Sequence, residues 1–179
     1  MVFPTKIESE RLKLIPLSLK QLSEEYVCWM NNSIVNEYLE SGGNYTLELL
    51  ELYLKTVEEK SIFFYAIILK ANNKHIGNIK IDPINYKHGF AEYGIMMGDI
   101  NEWGKGYAFE ASNLVIKYCF EELKLRKICL GVISENIAAV NLYKKLGFII
   151  EGIYKEHFLY KGDYCSCIRM AIFNPKRIK

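Results

Sequence analysis

The chain has 179 residues, of which half are apolar and a quarter are charged, and its formal net charge is +2. This composition indicates one folded domain, residues 1–179, rather than a disordered chain. The small net charge gives no reason to expect nucleic-acid binding, and no apolar run approaches the roughly 20 residues that span a membrane. We therefore expect a globular protein without a nucleic-acid or membrane partner.

The N-terminus and the cysteines indicate the compartment. The segment MVFPTKIESE lacks the apolar stretch of a signal peptide, so a cytoplasmic protein is expected. The five cysteines are scattered and odd in number, which is not the pattern of a disulfide framework. Because the chain has only three histidines, a metal site is not expected either.

The chain begins with a predicted strand and two predicted helices. Residues 11–17, RLKLIPL, are typical of a strand, and Ser18 is placed to N-cap a helix that reaches about Trp29. Thr46 is placed to N-cap a second helix. The apolar residues that share one face of this helix are Leu47, Leu50 and Leu54.

Three more strands are predicted before the middle of the chain. The apolar run at 61–70, the turn composition ANNK and the alternating residues at 75–82 together indicate a hairpin. Residues 83–89 contain proline, asparagine and glycine, so we expect a loop there. Residues 90–98, FAEYGIMMG, predict the next strand.

The second half alternates helices and strands. Helical spacing predicts a helix over about 105–123, a strand follows at 127–134, and a short helix at 135–147 ends at Gly147. The segments FIIEGIYKEHFLY and YCSCIRMAIF, joined by KGD, predict two long strands and a tight turn. This order indicates an α/β fold with a mixed, mostly antiparallel sheet of about seven strands, about four helices and two crossovers.

A glycine pair stands where a predicted strand gives way to a helix, in NEWGKGYAFEA (101–111). The first turn of a helix has unpaired N–H groups and a positive dipole end, and glycines let a ligand approach them. The stretch is therefore either a phosphate cradle or a simple turn. Neither a P-loop nor a dinucleotide fingerprint occurs, which disfavours a Rossmann-type nucleotide binder.

Two motifs together resemble a known family. WGKGYAFEA (103–111) and ENIAAVNLYKKLGF (135–148) are similar to sequences of the GCN5-related N-acetyltransferase (GNAT) superfamily, and more closely to its ribosomal-protein-type branch. The resemblance implies the GNAT fold with splayed central strands and acetyl-CoA as cosubstrate. It also implies transfer of the acetyl group to a primary amine by direct attack in a ternary complex.

The resemblance implies where CoA binds. The loop and helix start would hold the pyrophosphate through backbone N–H groups of Trp103, Gly104, Lys105, Gly106, Tyr107 and Ala108. Trp103 departs from the glutamine or arginine of the family pattern, and Lys105 either adds a charge or is a solvated lysine. The preceding strand would pair with the pantetheine arm through the backbone of Ile95, Met96 and Met97.

The second motif implies a proton donor. Asn136 resembles the asparagine that touches the pantetheine arm, although an N-cap explains it equally well. Tyr143 lies seven residues on and therefore on the same helix face. In the family this tyrosine protonates the departing thiolate. For the general base, Glu92 is the leading candidate and Glu156 and His157 are alternatives, as is a chain of water molecules.

The acceptor site is expected on residues 28–45, since the first two helices form its wall in the superfamily. The candidate residues are Trp29, Asn31, Asn32, Asn36 and Tyr38. Amides and aromatic faces favour a nucleotide-linked amino sugar, and the spacing resembles acetyltransferases that act on such sugars. A protein N-terminus, as in the ribosomal-protein-type branch, is one alternative. A polyamine is another and would use acidic residues, of which Glu37 and Glu40 lie in this segment and Glu48 and Glu51 follow it.

Two further alternatives concern the class of protein and its assembly. A CoA-binding sensor without catalysis would have the same two motifs, but retention of Tyr143 argues against it. A small-molecule amine is the expected partner. The chain itself is expected to be a monomer or a homodimer.

Overall fold

The computed structural model describes residues 3–39 and 43–176. The first half of the chain forms β1 (Ile7–Glu8), β2 (Leu12–Pro16), α1 (Glu24–Asn31), α2 (Leu47–Glu59), β3 (Phe63–Leu69), β4 (His75–Asn85) and β5 (Phe90–Met97). The second half forms α3 (Tyr107–Glu121), β6 (Lys127–Ile133), α4 (Ile137–Lys145), β7 (Ile149–Tyr160) and β8 (Asp163–Phe173). Among these described residues, no helix has the length and apolar content needed to cross a membrane.

The strands form one eight-stranded sheet in the order β1-β2-β3-β4-β5-β6-β8-β7. The pair β5–β6 is parallel, whereas β1–β2, β2–β3, β3–β4, β6–β8 and β7–β8 are antiparallel. The predicted α/β fold with a mixed, mostly antiparallel sheet and four helices is therefore confirmed. About seven strands were predicted, and the additional strand is β1, which has two residues, too few for a recognisable alternation.

The central strands β5 and β6 pair over only the first part of β5. Their register joins residues 90–92 to residues 127–129, although β5 continues to Met97. The last residues of β5 therefore take no part in this ladder. This confirms the splayed central strands that the GNAT fold implies.

Two compact units make up the chain. The N-terminal unit comprises Met1–Asp82 and Gly94–Val115, and the C-terminal unit comprises Pro83–Tyr93 and Ile116–Lys179. The core of the N-terminal unit packs α1 and α2 against β3, with Leu50, Leu54 and Ala66 fully buried. The Thr46 side chain accepts a hydrogen bond from Leu49 N at 3.3 Å, which confirms the predicted N-cap of α2.

The helix predicted from Ser18 is wrong in its first part. Ser18 and Gln21 do form a capping box, but it closes only a 3-10 turn, Leu19–Gln21. The α-helix begins at Glu24 and has its own N-cap, Ser23, whose side chain accepts from Tyr26 N at 3.2 Å. The chain thus contains two serine caps in succession, and the second one starts the helix.

In the C-terminal unit the predicted turns occur where glycine permits them. Gly147 has a φ of +94° and ends α4, as expected for a left-handed C-terminal residue. Lys161 and Gly162 both have positive φ and join β7 to β8 in a tight turn. β7 lies within its predicted segment, whereas β8 begins one residue before its predicted segment, at Asp163.

Candidate active site

The segment between β5 and α3 has the geometry of an anion cradle. Gly104 and Gly106 have φ values of +76° and +82°, and α3 begins directly after them at Tyr107. The backbone N–H groups of residues 104–108 have no hydrogen-bond acceptor within the described parts of the chain. The N–H of Trp103, which was also predicted to hold the pyrophosphate, instead donates to the Ile100 carbonyl at 3.2 Å. The first intrahelical bond runs from Glu110 N to Gly106 O at 3.1 Å. This run of unpaired donors at a helix N-terminus suits a pyrophosphate.

Arg11, the residue before β2, connects this loop to α3. Its Nη1 donates to the Lys105 carbonyl at 3.1 Å, and its Nε and Nη2 both lie 2.6 Å from Glu110 Oε2. The other carboxylate oxygen of Glu110 accepts from Ser9 Oγ at 2.7 Å and from Arg11 N at 3.0 Å. Burial favours the neutral form of Glu110, but these hydrogen bonds outweigh it and hold its pKa below the ordinary value.

Trp103 has a role that the family pattern does not indicate. Its indole Nε1 donates to the Met97 carbonyl at 2.9 Å, so the loop is tied to the last residue of β5. The side chain is 43% exposed. The Lys105 ammonium donates to Glu102 Oε2 at 2.8 Å, and a contact between Lys105 and phosphate stays a prediction.

The end of β5 is the predicted pantetheine strand. The Met96 side chain packs against the core of α1 and α2, whereas Ile95 and Met97 are half-buried. Gly77 of β4 lies so close to the backbone of Met96 and Met97 that no side chain fits at position 77. Pairing of this strand with pantetheine stays a prediction, and the Met97 carbonyl is already an acceptor for Trp103.

In the C-terminal unit, Tyr143 is enclosed by aromatic rings. Its ring meets Tyr93 edge-on at a centroid distance of 5.8 Å and an angle of 87°, and Phe148 also lies at 5.8 Å. Burial raises the pKa of Tyr143 to about 12. Its hydroxyl has no hydrogen-bond partner among the residues described. The side chain is therefore a protonated donor at any physiological pH.

Asn136 is the N-cap of α4. Its side-chain oxygen accepts from Ala139 N at 3.1 Å, so the capping role considered for it is present. A contact with the pantetheine arm stays a prediction. The two roles are compatible because the amide also has an NH₂ group.

The candidate bases differ in their surroundings. Glu92 on β5 accepts from Arg169 Nη2 at 2.6 Å, so one carboxylate oxygen is already engaged in an ion pair. His157 on β7 is exposed, with its ring 5.2 Å from Tyr154 and 4.8 Å from Phe158. Neither arrangement excludes a base, and the assignment stays a prediction.

The predicted acceptor residues are mostly engaged in local structure. Asn31 exchanges two hydrogen bonds with the Tyr45 backbone, at 2.9 and 2.8 Å. Asn32 accepts from Ile34 N at 2.9 Å, and Asn36 donates to Met30 O at 2.8 Å. These amides shape the loop, which leaves them fewer groups for a substrate.

Trp29 requires a correction as a substrate-binding residue. Only 6% of it is exposed, and its indole lies directly on the backbone of Gly98 and beside His75. It is a core residue, and so little free surface does not suit substrate binding. Tyr38 is half-buried, and substrate binding by Tyr38 stays a prediction. Glu40 and the rest of 40–42 lie outside the described residues.

Neither a group of metal ligands nor a cavity adds to this site. No group of three or more potential metal ligands occurs in the described ranges. A cavity of about 770 Å³ lies in the C-terminal unit, but none of the predicted site residues lines it. Its cationic lining residues are Lys87, Lys117, Lys124, Arg126 and Lys176.

The family follows from a comparison with known domain families. The profile described as "Acetyltransferase (GNAT) domain" matches residues 11–149. The chain belongs to the GNAT acetyltransferases. It is accordingly an N-acetyltransferase with acetyl-CoA as cosubstrate.

Among related GNAT enzymes, spermidine acetyltransferases are prominent. The chain is 32% identical over 162 residues to the spermidine N(1)-acetyltransferase of Escherichia coli K12. The aligned residues make up 90% of this chain and 86% of that protein. A solved spermidine N-acetyltransferase from Vibrio cholerae, in complex with CoA and spermine, superposes with a TM-score of 0.83 at 30% identity. This superposition covers 94% of this chain and 98% of that one.

The ribosomal-protein-type branch of the GNAT superfamily receives no comparable support. A proposed ribosomal-protein-serine acetyltransferase from Vibrio cholerae has a TM-score of 0.79 over 96% of this chain and 99% of that one. Its identity is 20%, so it shows the fold alone. The superfamily assignment is confirmed, whereas the branch assignment is not.

Sequence reasoning missed the Arg11–Glu110 pair of this GNAT chain. Glu110 stands within the WGKGYAFEA motif, which was a usable signal for its importance. Arg11 lies 99 residues earlier, in a segment whose sequence predicts a strand and nothing about a site. No local pattern connects the two, because the contact exists only after β2 and the start of α3 have come together.

Proposed function

We propose that this enzyme acetylates a polyamine of the spermidine class. The observation that carries the proposal is the 32% identity, over 90% of this chain, with a spermidine N(1)-acetyltransferase. The neighbouring structure with CoA and spermine supports it. A nucleotide-linked amino sugar gains no support from these relatives.

The cosubstrate would bind through the cradle of residues 104–108, with Trp103 at its entrance. The unpaired N–H groups of the cradle support this assignment, since they match the acceptor oxygens of a pyrophosphate. The backbone of Ile95, Met96 and Met97 would pair with the pantetheine arm, and Asn136 would contact the same arm. Lys105 would lie at the rim of the cradle, where a phosphate would compete with Glu102 for its ammonium group.

The reaction follows from the chemistry of a thioester and an amine. A neutral amine nitrogen attacks the acetyl carbonyl carbon, and the tetrahedral intermediate collapses as the carbon–sulfur bond breaks. The departing thiolate takes a proton, for which Tyr143 is the proposed donor, and the excess proton that the acetylated nitrogen releases to solvent is balanced by reprotonation of the phenol. The substrate ammonium must first lose a proton, to Glu92, to Glu156 or His157, or to water. The products are the acetamide and free CoA.

A polyamine demands negative charge at the acceptor site. Its ammonium groups are strongly hydrated and need carboxylate partners when they leave water. Among the described acidic residues of the predicted acceptor region are Glu37 on the loop after α1, and Glu48 and Glu51 on α2. We propose that these carboxylates attract the cationic tail and that Tyr38 provides an apolar contact for its methylene groups.

The remaining proposals concern organisation. Residues 1–179 would act as one catalytic domain in the cytoplasm, as a monomer or a homodimer, without a nucleic-acid or membrane partner. The family match to residues 11–149 supports the single domain.

An acceptor screen tests the proposed substrate. Acetyl-CoA consumption would be measured with spermidine and spermine, with nucleotide-linked amino sugars, and with ribosomal N-terminal peptides at equal concentrations. Spermidine or spermine is expected to give the highest kcat/KM. Faster turnover of any amino sugar or peptide than of both polyamines would overturn the polyamine assignment and replace it with that class.

A further inference from the structure

The cradle is held in one orientation by a residue that does not belong to it. We propose that Arg11 is a positioning residue for the CoA pyrophosphate, acting through the Lys105–Gly106 peptide. The inference rests on the proposed cradle but not on the identity of the acceptor. It begins from the 3.1 Å hydrogen bond that Arg11 Nη1 donates to the Lys105 carbonyl.

The geometry of a trans peptide carries the argument. The C=O of residue 105 and the N–H of residue 106 belong to one planar unit and point in opposite directions. A guanidinium that holds the Lys105 oxygen therefore turns the Gly106 N–H away from β2, to the opposite side of the loop. Gly106, which borders this peptide on its C-terminal side, has a φ of +82° and no side chain, so without such a restraint the peptide could rotate at low cost.

Arg11 is itself fixed on three sides. Two of its guanidinium nitrogens lie 2.6 Å from Glu110 Oε2, and its Cζ lies 4.6 Å from the centre of the Tyr107 ring. Its Nη2 would lie 3.6 Å from a Cβ built at position 106. Only 19% of the Glu110 side chain is exposed, so the ion pair is partly shielded from water.

These contacts favour a role for Arg11 in orienting the loop and not in binding phosphate through its own charge. The carboxylate of Glu110 largely balances the charge of the guanidinium, and three of its five N–H groups already have acceptors. A phosphate ligand would have to compete with that carboxylate. Arg11 thus aims backbone donors at the phosphates and does not supply the charge itself.

The test uses Arg11→Met, which keeps the aliphatic stem and removes the guanidinium. CoA affinity measured by isothermal titration calorimetry is expected to fall at least tenfold. Ser9→Ala is the matched control, because it removes a hydrogen bond to Glu110 but leaves the Lys105 carbonyl held. It is expected to change CoA affinity less than twofold.

A second readout separates positioning from general damage. S-acetylpantetheine has the same thioester but no pyrophosphate, so its kcat/KM with the best amine of the screen should change less than twofold in Arg11→Met. An equal loss for acetyl-CoA and S-acetylpantetheine would show a merely structural role and overturn the inference. Unchanged CoA affinity would overturn it as well.

Two more variants cover the remaining outcomes. Arg11→Lys can still pair with Glu110 but has no second nitrogen for the Lys105 carbonyl, so the same selective loss is expected. It also replaces Arg11→Met if that variant does not fold, and full CoA affinity in Arg11→Lys would contradict the proposal. Gly106→Val tests the cradle independently. If Gly106→Val leaves CoA affinity intact, the assignment of the cradle is wrong. If Gly106→Val lowers CoA affinity but the Arg11 variants do not, only the role of Arg11 is refuted.

Discussion

Replacing Tyr143 with phenylalanine isolates one hydroxyl group. The edge-on contact with Tyr93 and the contact with Phe148, both at 5.8 Å, involve only the ring and are retained. The hydroxyl has no described hydrogen-bond partner, so the free energy of unfolding at neutral pH should change by less than about 1 kcal/mol. Any large loss of turnover then comes from chemistry and not from folding.

The expected loss of turnover is large. General acid catalysis typically contributes about 10²–10⁴-fold, which corresponds to at least about 2.7 kcal/mol of barrier. With a pKa of about 12, Tyr143 stays protonated across the usable pH range. The basic limb of the wild-type pH profile of kcat/KM should therefore not fall below pH 10.

The same pKa gives a stability test with a definite sign. Burial of Tyr143 raises its pKa from the ordinary value of 10.0 to about 12, so the folded state retains the proton that the unfolded state loses first. This contribution is complete below pH 10 and is lost as the pH rises through 12. Relative to Tyr143→Phe, the wild-type free energy of unfolding should decline over that interval by up to about 2.7 kcal/mol.

The assay is single-turnover acetyl transfer at saturating acetyl-CoA, with CoA affinity measured separately. Tyr93→Phe is the matched control, since it removes a neighbouring hydroxyl from the same aromatic cluster, and it should lower turnover less than about threefold. A Tyr143→Phe enzyme that retains more than half of the wild-type rate in the chemical step would refute the assignment of Tyr143 as the proton donor.

Three other expectations follow from the cradle, the caps and the acceptor loop. Gly106→Val should weaken CoA binding at least tenfold, about 1.4 kcal/mol, in calorimetry. Gly162→Val places the same side chain at another positive φ, in the hairpin turn, and should leave CoA affinity unchanged, so an equal effect of both would implicate backbone strain alone. Asn136→Ala should lower the free energy of unfolding by about 1 kcal/mol in denaturant titration and also weaken CoA binding, whereas Thr46→Ala should produce only the first effect. Glu37→Gln should raise the KM for spermidine about five-fold, because it removes one ion pair with the substrate that contributes about 1 kcal/mol. A change in the KM for acetyl-CoA instead would contradict the placement of Glu37 at the acceptor site.

Most helices and strands were predictable because each has a local signal. Thr46 and the leucines after it define α2 without help from the rest of the chain, and Asn136 with Gly147 brackets α4. The failure at Ser18 is also local in origin. Two capping serines five residues apart both satisfy the pattern, and only packing decides which one starts the helix.

The site was less predictable, since side-chain partners depend on tertiary structure. The glycine loop was visible in the sequence because Gly104 and Gly106 stand where a predicted strand gives way to a helix, although this pattern alone also fits a simple turn. Asn31 and Asn36, in contrast, were predicted to bind substrate because their side chains are amides. In the structure these amides donate hydrogen bonds to backbone carbonyls nearby in the chain. The Arg169 partner of Glu92 and the Arg11 partner of Glu110 are long-range contacts that a one-dimensional pattern does not encode.

The two tryptophans of this chain occupy opposite environments, and this gives the protein an internal optical reporter. Trp29 is buried beside His75, so its emission should be blue-shifted and insensitive to ligands. Trp103 is 43% exposed, and its indole N–H is anchored to the strand that ends at Met97. Occupation of the proposed cradle would change the solvent shell of this second indole alone. The red edge of the fluorescence spectrum should therefore follow cosubstrate binding without any label.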